Sequence, residues 1–271
     1  MKRGNSHLRT CLTVGLALAA ALAIGSAIFG GSTNGWETHF ERAIIDLDEV
    51  ISGGVPRDDI PHIDKPVFDS VMSIRGLSDK SPVISLSISG DARAYPLEVM
   101  TRHEIVNDVV GDVPVAVTFC PLCDKAIVFD RRVEGRTLRF GVTGNLRFSD
   151  LVMWDDASES WWQQLTCEAI VGDYAGRQLD LVTSQLISFG LFRDRHPDGK
   201  VLRGPLGAYG NNPYRGCDSN PSPFLFAGTL DPRLPAMERV LAGVKLRQLH
   251  AFPHFWFAWA AFYPDTLING G

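Results

Sequence analysis

Val117–Phe129 reads VTFCPLCDKAIVF. An apolar segment, Val115–Phe119, runs into Cys120; Pro121 opens a bend and Cys123 closes it; Ala126–Phe129 is apolar again. β-branched and aromatic residues on both sides of a short turn read as strand, bend and strand. The other reading of Cys-Pro-x-Cys is a redox dithiol. It needs a helix directly after the first cysteine, whose N-terminus stabilises the thiolate. AIVF followed by Asp130 does not supply one.

The β pattern continues on either side. Ile84, Leu86 and Ile88 alternate with Ser85, Ser87 and Ser89, which buries one face and wets the other. Gly90-Asp91 turns the chain into Ala92–Tyr95. Gly111-Asp112 separates Val109-Val110 from Val113–Phe119, and Glu134-Gly135 separates Ala126–Arg132 from Thr137–Val142. Leu146–Trp154 and Trp161–Leu165 flank the polar Asp155–Ser160, and Gln178–Val182 alternates once more. Turns about every ten residues predict an α+β protein, mainly antiparallel β as sheet or barrel, with a few short helices. Helices are expected at Glu37–Ile51, at Leu97–His103 after Pro96, at Leu186–Arg195 and at Pro235–Ala242. Periodicity leaves the aromatic run His254–Phe262 open between helix and strand. Gly204–Pro232, rich in Gly, Pro and Asn, is expected to be loop.

The 271 residues divide into three parts. Residues 1–30 carry Lys2, Arg3 and Arg9 before the uncharged run Cys11–Gly30, with small residues at Gly25–Ala27. This is the pattern of a secretory signal or of an uncleaved membrane anchor. It predicts a periplasmic or secreted protein that touches the membrane only through this segment. Residues 31–82 form the expected helix and a proline-rich strap, in which Pro56, Pro61 and Pro66 forbid a long helix. Residues 83–271 form the β-rich main domain. A formal net charge of -5 argues against a nucleic-acid partner. A small-molecule ligand remains open.

The chain has five cysteines, and Cys120, Cys123, Cys167 and Cys217 lie outside the N-terminal segment. Cys120 and Cys123 supply half of a tetrahedral ligand set. His103 is the natural third ligand, with Glu104 and Asp108 as carboxylates nearby in sequence; a soft site of this kind suits zinc or copper(I). The same three residues, Cys120, Cys123 and His103, could instead carry thiol chemistry, as a dithiol oxidoreductase or a His-activated nucleophile. In the plainest reading the cysteines are inert packing and the protein is a non-catalytic ligand-binding or structural module. Adjacent Trp161 and Trp162 point to opposite faces of a strand, so one is core and the other lines a pocket or pairs with Trp154 across the turn. Asn107 is a candidate polar contact to a ligand. Asp150, Asp155, Asp156 and Glu159 form an acidic patch, readable as hydrolytic carboxylates or as turn residues.

Several blocks together resemble a prokaryotic family known as domain of unknown function thirty-one seventy-nine. They are Gly53–Phe68 (GGVPRDDIPHIDKPVF), Ala92–Asp108 (with HEIVND), Val115–Arg131 (with VTFCPLC), Phe140–Gln164, Tyr209–Tyr214 (YGNNPY), Arg233–Val240 (RLPAMERV) and Phe255–Phe262 (FWFAWAAF). The resemblance implies no reaction. This chain differs from the family pattern in having Cys167 where relatives place glycine and Cys217 where they place tyrosine. It is also shortened between RLPAMERV and FWFAWAAF.

Overall fold

A computed structural model describes residues 33, 35–217, 220–230, 232–233, 235–237, 240–245 and 248–253. The expected signal or anchor at 1–30 and the aromatic run His254–Phe262 lie outside the described residues. No described helix is long and apolar enough to cross a membrane.

The elements follow the order β1 (Val50–Ser52), β2 (Phe68–Ser70), β3 (Pro82–Ile88), β4 (Asp91–Pro96), α1 (Leu97–His103), β5 (Ile105–Val110), β6 (Val113–Cys120) and β7 (Lys125–Asp130). Next come β8 (Arg132–Val133), β9 (Arg136–Thr137), β10 (Phe140–Arg147), β11 (Asp150–Asp155), β12 (Trp161–Gln163) and β13 (Glu168–Val171). The chain closes with β14 (Ser184–Ser188), α2 (Phe189–Arg195), β15 (Lys200–Leu202), β16 (Val240–Lys245) and β17 (Gln248–Pro253). They build open sheets with edges rather than a closed barrel. One has the order β1-β10-β11-β12-β13, a second β14-β3-β4-β15-β2, and a third β5-β6-β7. All pairings are antiparallel except β4 with β15.

The opening stretch is the middle layer. In β6, Ala116 and Cys120 enter one core with Phe140, Leu151, Met153 and Trp162 of the β10–β12 sheet. Val115, Val117 and Phe119, one step out of phase, enter another core with Ile84, Leu86, Tyr95 and Met100. A strand with a core on both faces needs apolar residues at successive positions, which is why this stretch shows no alternation. Two outer cores complete the layering: α2 covers the far side of β3 and β4 through Phe189 and Phe192. The strap covers the far side of β11–β13 through Trp36, Phe40 and Ala43.

The strap is not helical at Glu37–Ile51. Trp36, Phe40, Ala43 and Leu47 have helical spacing, but the chain lies along a sheet edge instead. Ala43 bridges Val171 and the Ile44 N–H bonds the Ile170 carbonyl at 3.0 Å; only Leu47–Glu49 makes a single 3-10 turn. The edge satisfies backbone groups and half-buries Trp36 and Phe40 at once, so tertiary pairing outweighs a weak local preference. Further on, the strap crosses β10, where the Asp58 carboxylate accepts the Val142 N–H and the Trp154 indole N–H. Gly144 permits the crossing: its φ is 78°, and a Cβ there would meet the Val55 carbonyl at 2.1 Å.

Other boundaries move for similar reasons. Leu186–Ser188 finishes β14 against β3, and α2 starts only at Phe189, with Ser188 capping the Leu191 N–H. Gln178–Val182 makes only isolated bridges, Glu168 with Gln178 and Phe129 with Leu181. In place of the helix expected at Pro235–Ala242, Val240 begins a strand. Leu146–Trp154 is not one segment: it holds a two-residue turn at Phe148-Ser149, with φ of 53° and 63°. Gly204–Pro232 carries no strand or α-helix among its described residues.

Asn107 is structural. Its side chain accepts the Phe140 N–H at 2.9 Å and donates to the Phe140 carbonyl at 2.8 Å and to Asp64 at 2.9 Å. It therefore rivets the middle sheet to β10 and to the strap, and is not available to a ligand. Asn107→Ala is expected to cost about 2 kcal/mol, since it strands buried backbone groups of Phe140; urea unfolding measures it.

Candidate metal centre

Three elements converge on the bend after β6. Cys120 ends β6 and pairs with Lys125, the first residue of β7, so Pro121–Asp124 form a tight connection, with Asp124 at a φ of 50°. The Phe148-Ser149 turn, positive in φ at both central residues, is the geometry that two-residue hairpins require. It delivers Asp150 to the start of β11, beside the bend. The two thiols and one Asp150 oxygen lie within 4.8 Å of one another. The Cys123 thiol donates to Asp150 Oδ1 at 3.4 Å, and the Cys120 thiol points at the Ser149 carbonyl at 3.6 Å. Asp150 Oδ2 accepts the Leu165 N–H at 2.8 Å. Both cysteines are free thiols.

The cluster is dry. Cys120 and Asp150 are each 1% exposed, and Cys123 is half-buried. Burial raises the Asp150 pKa against the lowering pull of its hydrogen bonds. Its Cys120 neighbour and burial, with Asp150 adding to them, push the Cys123 thiol well above its ordinary value. Both shifts favour the protonated forms of Asp150 and Cys123.

His103 and Glu104 do not join them. His103 ends α1 with Nδ1 against the Pro61 carbonyl at 2.6 Å and Nε2 against the Tyr209 hydroxyl at 3.5 Å. Both ring nitrogens are turned to the strap and to the loop after β15, away from the sulfurs. Glu104 lies in strained backbone, φ 56° and ψ -37°. Its N–H is held by the Met100 carbonyl at 2.7 Å and its carbonyl by the Phe119 N–H at 2.8 Å. That pinning turns the side chain inward. Its carboxyl is buried, makes no hydrogen bond among the described residues, and burial pushes its pKa up to about 8.

The ligand-platform role for Trp161 and Trp162 is also corrected. Both are buried, Trp161 under the strap and Trp162 against the middle sheet. Each face of β12 is covered, so neither ring is left for a ligand; Trp161 instead pairs with Trp154 across the strand. The acidic patch divides. Asp155 closes its own turn through the Ala157 and Ser158 N–H groups and takes the Trp162 indole N–H. Glu159 pairs with Arg57. Asp150 alone reaches the sulfurs. The polar break Arg147–Asp150 inside an apolar run was the one signal of the turn that places it.

Fold and site together define a layered, antiparallel-rich α+β protein with a buried dithiol–carboxylate cluster at the edge of its middle sheet. The chain matches the family described as Protein of unknown function (DUF3179) over residues 57–245, and it belongs to that family. No curated protein and no solved structure matches it.

Proposed function

We propose that this is a zinc-binding protein whose ion is held by Cys120, Cys123 and Asp150. The observation that carries the reading is the convergence of two thiols and a carboxylate oxygen within 4.8 Å in a largely buried site. A divalent cation would offset the charge of the deprotonated ligands in this buried setting and release their protons. A mixed sulfur and oxygen set favours zinc over copper(I), which prefers sulfur throughout. Three protein ligands would leave a fourth position for water or a ligand, as in catalytic zinc sites. Dithiol exchange is the weaker reading. No helix follows Cys120, and a thiol with a raised pKa is a poor nucleophile at neutral pH. If residues 1–30 do export the chain, a bound ion would also shield the thiols from oxidation.

Metal-stripped, reduced protein is expected to take up one zinc ion per chain. Cys123→Ser and Asp150→Asn should each weaken it by roughly a hundredfold or more, at or beyond the loss from removing an outer-shell partner. Binding should weaken as pH falls, because Cys123 and Asp150 must shed protons that the fold helps them keep. Competition with a chromophoric chelator reads both effects. Uptake that is equal in wild type and in both variants would end the proposal.

A further inference from the structure

A second concave site shares the bend. A cavity of about 540 Å³ is walled by Phe119, Pro121 and Leu122; neither cysteine nor Asp150 lines it. α1 supplies another wall through Leu97, Glu98, Thr101 and Arg102, which share one side of the helix. The loop after β15 closes it with Tyr209, Tyr214 and Arg215.

The loop is latched to α1 rather than collapsed onto it. Arg102 Nη2 donates to the Tyr209 carbonyl at 3.0 Å and the Asn211 carbonyl at 2.8 Å. Glu98 accepts the Gly207 N–H at 2.8 Å. These bonds hold the loop along the helix, with the cavity between it and the bend. The volume falls within the range of small-molecule pockets, and the lining is the usual mixture of apolar surface and a few polar groups.

The charges decide what would fit. Of the two acids lining the cavity, Glu98 accepts the Gly207 N–H through one oxygen and Asp124 has a partner of its own. The Arg215 guanidinium makes no hydrogen bond or ion pair among the described residues, and the guanidinium N–H groups of Arg102 other than Nη2 are likewise unclaimed there. Two guanidinium groups, Arg102 on the helix wall and Arg215 on the loop wall, are suited to a carboxylate, which guanidinium groups bind by paired, charge-assisted hydrogen bonds. We infer that this cavity binds a small organic monocarboxylate. Its anionic end pairs with Arg215 and Arg102, and its apolar body packs on Leu97, Phe119 and Leu122. The site stands independently of the zinc reading.

The test uses the full chain, with cinnamate as probe and cinnamamide as its neutral counterpart, followed by protein-observed NMR. Cinnamate should shift signals of Thr101, Tyr209 and Tyr214, and cinnamamide should bind about tenfold more weakly or worse. Arg215→Met should weaken cinnamate by about tenfold and leave the unfolding transition in place, since this side chain holds nothing else together. The inference is overturned if cinnamate leaves those signals unmoved at millimolar concentration. It is overturned equally if the amide binds as well as the acid, or if Arg215→Met binds like wild type. Probe and variant leave the cysteines alone, so this outcome and that of the zinc titration are separate.

Discussion

Glu104→Gln should make the protein more stable in mild alkali and leave it nearly unchanged in acid. In the unfolded chain the carboxyl has its ordinary pKa of 4.5, whereas in the fold burial raises it to about 8. Between those values the unfolded state has released the proton and the native state has kept it. Stability is therefore complete below the unfolded value and is lost as pH rises through the folded one. At about 1.4 kcal/mol for each tenfold difference in proton affinity, the loss approaches about 5 kcal/mol. Glutamine has the shape of the protonated acid and cannot ionise, so it should escape the loss. Urea unfolding of both proteins in weak acid and at about pH 9 measures the difference. Parallel decline of variant and wild type would place the alkaline sensitivity elsewhere. The same comparison asks whether a buried carboxyl with no hydrogen bond among the described residues is a cost this fold carries in its native state.

The second large effect belongs to Trp162. Its ring packs edge-on to Phe140 at 5.9 Å and against Tyr174 at 5.7 Å, and its indole N–H is held by Asp155 at 2.9 Å. Trp162→Ala opens a cavity in the core between the first sheet and the middle sheet, and it removes a hydrogen bond from a fully buried carboxylate. The expected cost is about 3–5 kcal/mol by calorimetry or urea unfolding. Trp162→Phe keeps most of the volume and should lose clearly less, mainly the hydrogen bond. Near-equal losses for the two variants would mean that the hydrogen bond, not the packing, holds this layer.

The two tryptophans also show how far the sequence could be read. Opposite pointing of Trp161 and Trp162 followed from strand geometry, and the structure has it. What covers the second face did not follow, because that cover is a strap more than a hundred residues earlier in the chain. His103 shows the same limit at the site. Near Cys120 in register, it looked like the natural third ligand. Yet it ends a helix, and the left-handed residue after it sends the ring toward Pro61 and Tyr209. Asp150 had no motif to announce it. Phe148-Ser149 turns without glycine or asparagine, the residues that normally mark such a hairpin.

By itself the sequence determined the β-rich class, most strand positions, the α1 helix and the bend carrying both thiols. All of these rest on local alternation, turn chemistry and proline. Only the tertiary structure decided which layer each strand faces, that Asn107 and the tryptophans are scaffold, and that a carboxylate rather than an imidazole meets the sulfurs. The physical reason is range. Propensity and periodicity act over a few residues, whereas the partners of Cys120 and Cys123 are set by a turn about thirty residues away and by the burial that turn creates.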